Sequence, residues 1–268
     1  MSCIESSLID FIAESNNRNV ALWKNQKQPS LRFGREYLGI SWMNELGWCE
    51  YKFECENAPF DSDLFQGVPQ KIVSREIEHI QQTQNKKDAG TMLHGGIATD
   101  IAVAGKRPEI NLSIFYNNVL LRGRIDFPVI MGTTVNVVDW KTGDSPYRGD
   151  PWNGDVLQVL AYCFALRTLF DSDCRFSALR IRGTIAYTKD GSRYTVDYDD
   201  DRSVVRPGFS QFRQWSKYTP STLAEDKLFR LWTYWMGFRD AVPSSMDSKH
   251  RACEYRSFCP YSPYRVVV

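Results

Sequence analysis

The chain has almost no surplus charge of either sign. Its 33 Lys and Arg face 32 Asp and Glu, a formal net charge of +1 over 268 residues. Nothing global draws it to nucleic acid or to an anionic membrane, so an anionic partner has to be held by a local patch. Long hydrophobic runs are missing as well: no apolar stretch reaches the length that spans a bilayer. The opening segment MSCIESSLIDFIAES (1–15) carries acidic residues and lacks the basic start of a secretory leader, so no leader is expected. A paired cysteine framework is lacking too, because the seven cysteines at 3, 49, 55, 163, 174, 253 and 259 are an odd number. The expected location is intracellular, in cytoplasm or nucleus with an organelle not excluded. There, clustered cysteines point to a metal rather than to disulfides. No internal repeat and no low-complexity tract is present. What remains is an ordinary globular composition, 43% hydrophobic and 24% charged, long enough for one large domain or two small ones.

Periodicity supplies the elements. Residues 1–30 read as a short apolar helix-like segment and a polar stretch, the first part weakly ordered or docked late. GISWMNELGWCEYKFECENAPF (39–60) reads as one helix, with Ile40, Met43, Leu46 and Phe53 near helical spacing and Ser41 as its cap. Residues 71–103 read as a helix, a polar break near 84–89 and a second helix. Gly95-Gly96 costs that second helix roughly 1 kcal/mol per residue, so close packing or a ligand must compensate. Three strands follow from 110, turning at Asn117-Asn118 and Gly132-Thr133. Then come a strongly periodic helix (155–171), a strand–turn–strand (178–199) and an aromatic-rich helix (222–242). This order predicts a single α/β domain with a mixed sheet flanked by helices.

The stretch VVDWKTGD (137–144) places Asp139 and Lys141 two residues apart at the end of a strand, hence on one face. A D-x-K tripeptide is common, and a plain salt bridge accounts for most of them. Here Asp126, in LRGRIDFPVI, lies on the preceding strand and is expected beside Asp139 through a hairpin-like connection. Two carboxylates meeting there repel unless a cation sits between them, and Mg²⁺ suits one or two carboxylates with water or phosphate completing its shell. Lys141 then handles the attacking water and the charge on a phosphate, and His94 upstream is a further candidate ligand. In GDVLQVLAYCFAL, Gln158 and Tyr162 share a helix face at i and i+4. They are either a polar edge on an apolar helix or part of the same site.

This order, H…G-x-x-D…D-x-K…Q-x-x-x-Y, carried by His94, Asp126, Asp139, Lys141, Gln158 and Tyr162 over about 70 residues, resembles the RecB-type branch of the PD-(D/E)XK nuclease superfamily. The resemblance implies a restriction-endonuclease-like core at about 71–200 within a single nuclease domain spanning 1–268. It implies that His94, Asp126, Asp139 and the backbone carbonyl of Trp140 bind Mg²⁺ or Mn²⁺, and that Lys141 serves the nucleophilic water. Gln158 and Tyr162 support the site and the DNA. Ala98 stands where many relatives carry a Glu one turn after the His, which puts a second metal in doubt.

The cysteines extend the resemblance. Cys49 in GWCEYKFEC and Cys253 and Cys259 in HRACEYRSFCP are similar to a group of these nucleases, exonuclease V and the CRISPR-associated adaptation nucleases among them. In that group an iron–sulfur (4Fe–4S) cluster joins the two ends of the chain, here 39–60 and 222–268. His250 falls where the first Cys of the trailing C-x2-C-x5-C run is expected. The resemblance therefore leaves three outcomes: a cluster on Cys49, His250, Cys253 and Cys259; one that recruits Cys55 instead; or zinc, or no metal. Cys163 and Cys174 read as buried free thiols.

For a nucleic-acid strand, RSVVRPGFSQFRQWSKYTP (202–220) interleaves Arg206, Arg213 and Lys217 with Trp215 and other aromatics, the combination that grips single strands. Arg122 and Arg124 flank the metal strand and are expected to reach phosphate. The activity implied is a metal-dependent single-stranded DNA exonuclease. A CRISPR-adaptation-type nuclease that trims DNA before integration, or a DNA-binding subunit with a residual site, are the alternatives.

Overall fold

The computed structural model describes residues 3–57, 109–143, 145, 151–199 and 218–266, together with the isolated exposed helical positions Lys71, Ser74, Glu78 and Gln82. His94, Gly95-Gly96 and Ala98 lie outside the described residues, as do Arg206, Arg213, Trp215 and Lys217.

The N-terminal segment is a long helix, α1 (Cys3–Lys24). Leu8, Phe11, Ile12, Ser15 and Trp23 are buried at helical spacing. Asn19 Nδ2 donates to the Ser113 carbonyl oxygen at 2.8 Å. The expectation of weak order there is wrong: the apolar stripe of α1 belongs to the main core, with Phe11 stacked near Phe176. The single helix expected at 39–60 is three pieces, β1 (Leu38–Gly39), α2 (Trp42–Trp48) and α3 (Tyr51–Asn57). Cys49 breaks it with extended φ −164° and ψ 114°, and Ser41 makes no side-chain cap.

β2 (Ile110–Tyr116) and β3 (Val119–Ile125) form an antiparallel hairpin. Its Asn117-Asn118 turn has φ of 46° and 62°, the left-handed pair that Asn tolerates and that matches strand twist. β1 joins β3 in parallel, giving the sheet order β1–β3–β2. The chain then bends at Asp126 into a second sheet. Its strands β4 (Phe127–Met131), β5 (Thr134–Lys141), β6 (Arg180–Tyr187) and β7 (Arg193–Asp197) lie in that order. Where three strands were expected there are four, because the bend at Asp126 divides residues 119–131 into β3 and β4. β5 and β6 are parallel and therefore need a crossover, which α4 (Asn153–Asp171) provides. Both sheets are mixed, and helices flank them.

α4 is buried on nearly every side, Val156 to Phe170 included. α5 (Pro220–Trp235) starts at a Thr219 cap with Pro in its first turn, and it ends at Trp235 rather than near 242. α6 (Asp247–Ala252) lies in the tail. Glu50, 1% exposed, ties the early helices to this end. It accepts from Arg230 Nε at 2.6 Å, Arg239 Nη1 and Nη2 at 2.7 and 2.8 Å, and Val242 N–H at 2.8 Å.

Candidate active site

β5 is an interior strand of its sheet, so its C-terminal end is fixed from both sides. The β4–β5 register pairs Phe127 with Val138, which sets the bend residue Asp126 across from Asp139. Trp140 N–H donates to Asp126 Oδ2 at 3.0 Å and locks that approach. Lys141 shares the Asp139 face, its Nζ 2.8 Å from Asp139 Oδ2. The same ammonium donates to Gln158 Oε1 at 2.9 Å, and Gln158 Nε2 donates to Tyr162 OH at 3.4 Å. Asp126, Asp139, Lys141, Gln158 and Tyr162 are thus one constellation.

The Gly of G-x-x-D has a local reason. A Cβ on Gly123 would stand 2.6 Å from Tyr162 Cε1 and 2.9 Å from Ile40 Cδ1. Only a bare backbone lets β3 pass under the Tyr162 ring.

Sequence reasoning missed Asp155. Its Oδ1 lies 3.2 Å from Lys141 Nζ and accepts from Asn44 Nδ2 at 2.7 Å, while Oδ2 accepts from Tyr187 OH at 2.7 Å. One carboxylate therefore joins α2, α4, β5 and β6 around the lysine. Its spacing from Gln158 and Tyr162, i, i+3 and i+7 on α4, was the signal that could have found it.

Burial pushes the Asp139 carboxyl up to about 7; Lys141 opposes the rise and Asp126 adds to it. Asp126 is raised too, chiefly by burial, against the Trp140 N–H. Burial and the neighbouring charges of Asp139 and Asp155 act on Lys141, and the carboxylates win, holding it firmly protonated. One ammonium does not neutralise this acidic wall. The cleft it lines, of about 340 Å³, reaches solvent past Trp152 and Gly143. Among the described residues no three His, Cys, Asp or Glu side chains converge tightly enough to hold a metal by themselves. Two carboxylates fit a hard divalent ion that keeps water or phosphate as its remaining ligands.

Four thiols, Cys49, Cys55, Cys253 and Cys259, line one small cavity together with His250. A thiol hydrogen bond to Cys55 is the main cause that lowers Cys259, to about 6, with burial opposing; the same bond raises Cys55. His250 Nε2 lies 2.6 Å from the Ser244 carbonyl oxygen, so that nitrogen carries a proton and donates. Cys163 is a buried free thiol as expected, but Cys174 is exposed, against the expectation of burial.

The two arginines of β3 have other partners. Arg122 lies over the Tyr37 ring, 4.8 Å from its centre. Arg124 pairs with Glu109 at 3.2 Å on the surface.

The family model described as the PD-(D/E)XK nuclease superfamily matches residues 43–262, and the chain belongs to that superfamily. No curated protein matches it significantly. Among solved structures, that of SSO0001 is 14% identical with a TM-score of 0.43, covering 97% of this chain and 98% of that one. A candidate exonuclease from Eubacterium rectale is 9% identical with a TM-score of 0.39, covering 81% of this chain and 88% of that one. No helix among the described residues is long and apolar enough to cross a membrane.

Proposed function

We propose that the protein is a Mg²⁺- or Mn²⁺-dependent deoxyribonuclease that degrades single-stranded DNA from an end, most similar to exonuclease V. The observation that carries this reading is the convergence of Asp126, Asp139 and Lys141 in one solvent-open cleft. Asp126, Asp139 and the Trp140 carbonyl hold the metal, with His94 as a further ligand. The ion supplies polarisation of the scissile phosphate and a water of lowered pKa. Lys141 orients that water and faces the charge growing on the phosphate, while Gln158 and Asp155 fix the ammonium. Tyr162, through Gln158, keeps the helix face in register with the cleft. A single-stranded oligonucleotide incubated with Mg²⁺ or Mn²⁺, beside EDTA, tests this. Asp139→Ala and Lys141→Ala abolish cleavage while anisotropy still reports DNA binding; full activity in either variant refutes the assignment.

Cys49, Cys55, Cys253 and Cys259 line the same small cavity, but among the described residues they do not stand close enough together to form a metal site as they are. A thiolate-held metal there rests on the family resemblance and would draw them together. His250 donates through Nε2 to the Ser244 carbonyl and keeps the lone pair on Nδ1; Cys55, whose thiol is hydrogen-bonded to Cys259, is taken as the fourth ligand. An iron–sulfur cluster follows from the family resemblance. Zinc is the second reading, favoured by a space between the thiols of only about 10 Å³. Metal analysis and visible absorption separate them. Cys55→Ser strips the metal, and His250→Gln leaves it; the reverse pattern overturns the ligand choice.

A further inference from the structure

Beyond the catalytic cleft lies a second cavity of about 610 Å³, whose walls include Trp48, Trp152, Asn153, Met246 and Lys249. On the reading of the cleft as a nuclease site for single strands, we propose that Trp48 and Trp152 form a stacking subsite for one unpaired nucleobase of the strand being cut. The two cavities adjoin, with Trp152 and Asp155 in the walls of both. On this proposal, a strand whose phosphate lies against Asp126 and Asp139 presents a neighbouring base to the second cavity.

The local sequence builds this placement. Each tryptophan stands within two residues of a glycine, Gly47-Trp48 and Trp152-Asn153-Gly154. A Cβ on Gly47 would meet Gly154 Cα at 2.7 Å, so α2 and α4 touch backbone to backbone there. That contact brings both indoles to one space. Trp152 is 51% exposed and Met246 53%, an open apolar rim beside a polar catalytic cleft. The Trp152 backbone is held: its N–H donates to Tyr187 OH at 3.0 Å, and that hydroxyl donates to Asp155. The platform is thereby tied to the carboxylate that fixes Lys141.

The chemistry of the walls selects the occupant. Lys249 Nζ donates to the carbonyls of Gly47 and Trp48 at 2.9 and 2.8 Å, so its donors already serve the end of α2. Asp155 adds negative charge. A phosphate or carboxylate is poorly served there, whereas a neutral flat ring gains the exposed Trp152 indole, beside a Trp48 ring whose centre lies 5.8 Å from Lys249 Nζ. A base held in a duplex is stacked and paired and cannot enter without being extruded. The subsite therefore makes the enzyme select single strands.

The test compares oligo(dT) with an abasic phosphodiester strand of equal length, bound in EDTA and read by anisotropy. Trp152→Ala weakens oligo(dT) binding roughly ten- to hundred-fold, as loss of one base-stacking platform does, and leaves abasic binding unchanged. Trp152→Phe retains most of the affinity. In the unaltered protein, oligo(dT) quenches tryptophan fluorescence and the abasic strand does not, a readout that needs no variant to fold. Equal loss on both strands, no loss on either, or quenching by the abasic strand overturns the proposal. Because binding is measured without metal, a protein that fails to cut in Mg²⁺ or Mn²⁺ refutes the nuclease reading while the binding comparison still decides the subsite.

Discussion

Replacing Gly123 with Ala adds one carbon at a crowded point beneath the site. That carbon would lie 2.6 Å from Tyr162 Cε1, 2.9 Å from Ile40 Cδ1 and 3.0 Å from Ile40 Cβ. The ring has to retreat by about 0.8 Å to restore ordinary contact at 3.4 Å. It has little room, since Tyr162 is 5% exposed and Ile40 fully buried. Overpacking of this kind costs about 1–3 kcal/mol. At about 2–4 °C per kcal/mol for a chain of this size, the melting temperature drops by about 2–12 °C. The displaced ring also pulls on Gln158 and, through it, on Lys141. A misplacement near 1 Å at a reacting centre can lower the rate about hundred-fold. Thermal melting and single-turnover cleavage of a labelled single strand measure both effects. Tyr162→Phe is the control, since it keeps the ring and removes only the hydroxyl bond to Gln158. A Gly123→Ala protein that melts within a degree of the parent and cuts at the parental rate refutes the packing argument.

Asp155→Ala leaves Asn44, Tyr187 and Lys141 each short of a partner; denaturation should show a loss of about 3 kcal/mol, the low end for a broken buried ion pair, with cleavage strongly reduced. Glu50→Gln should cost about 3–5 kcal/mol at neutral pH for the same reason. Burial alone would raise Glu50, but Arg239 and Arg230 hold it below its ordinary 4.5. Its stabilisation is therefore whole above that value and fades as pH falls through the lower folded one. Denaturant melts of both proteins from about pH 7 to about pH 3 should converge at the acid end, and a constant gap would contradict the linkage.

Much of the site was legible because its signals are local. A two-residue spacing on a strand puts Asp139 and Lys141 on one face, and a four-residue spacing on a helix puts Gln158 and Tyr162 on one face. The return of the chain that sets Asp126 beside Asp139 is legible in the sequence, but the bend between the two sheets is not, because Arg122, Gly123, Arg124 and Pro128 already interrupt the apolar pattern on both sides of Asp126. Asp155 escaped because its importance is tertiary: Asn44 and Tyr187 approach from 111 and 32 residues away. The helix at 39–60 had good periodicity and still broke at Cys49, where Glu50 needed to turn toward Arg230 and Arg239. The buried stripe of α1 was visible in its spacing and was discounted for its polar neighbours. That Cys55 shares a cavity with Cys49, Cys253, Cys259 and His250 is tertiary, and nothing in the linear spacing reports it.

The central claim is that Asp126 and Asp139 grip one divalent ion beside Lys141. Anomalous diffraction from a crystal soaked in Mn²⁺ addresses it directly. The account predicts a peak in contact with both carboxylates and the Trp140 carbonyl, absent in Asp139→Asn. A cleft without manganese, or an ion bound only elsewhere on the chain, would contradict it.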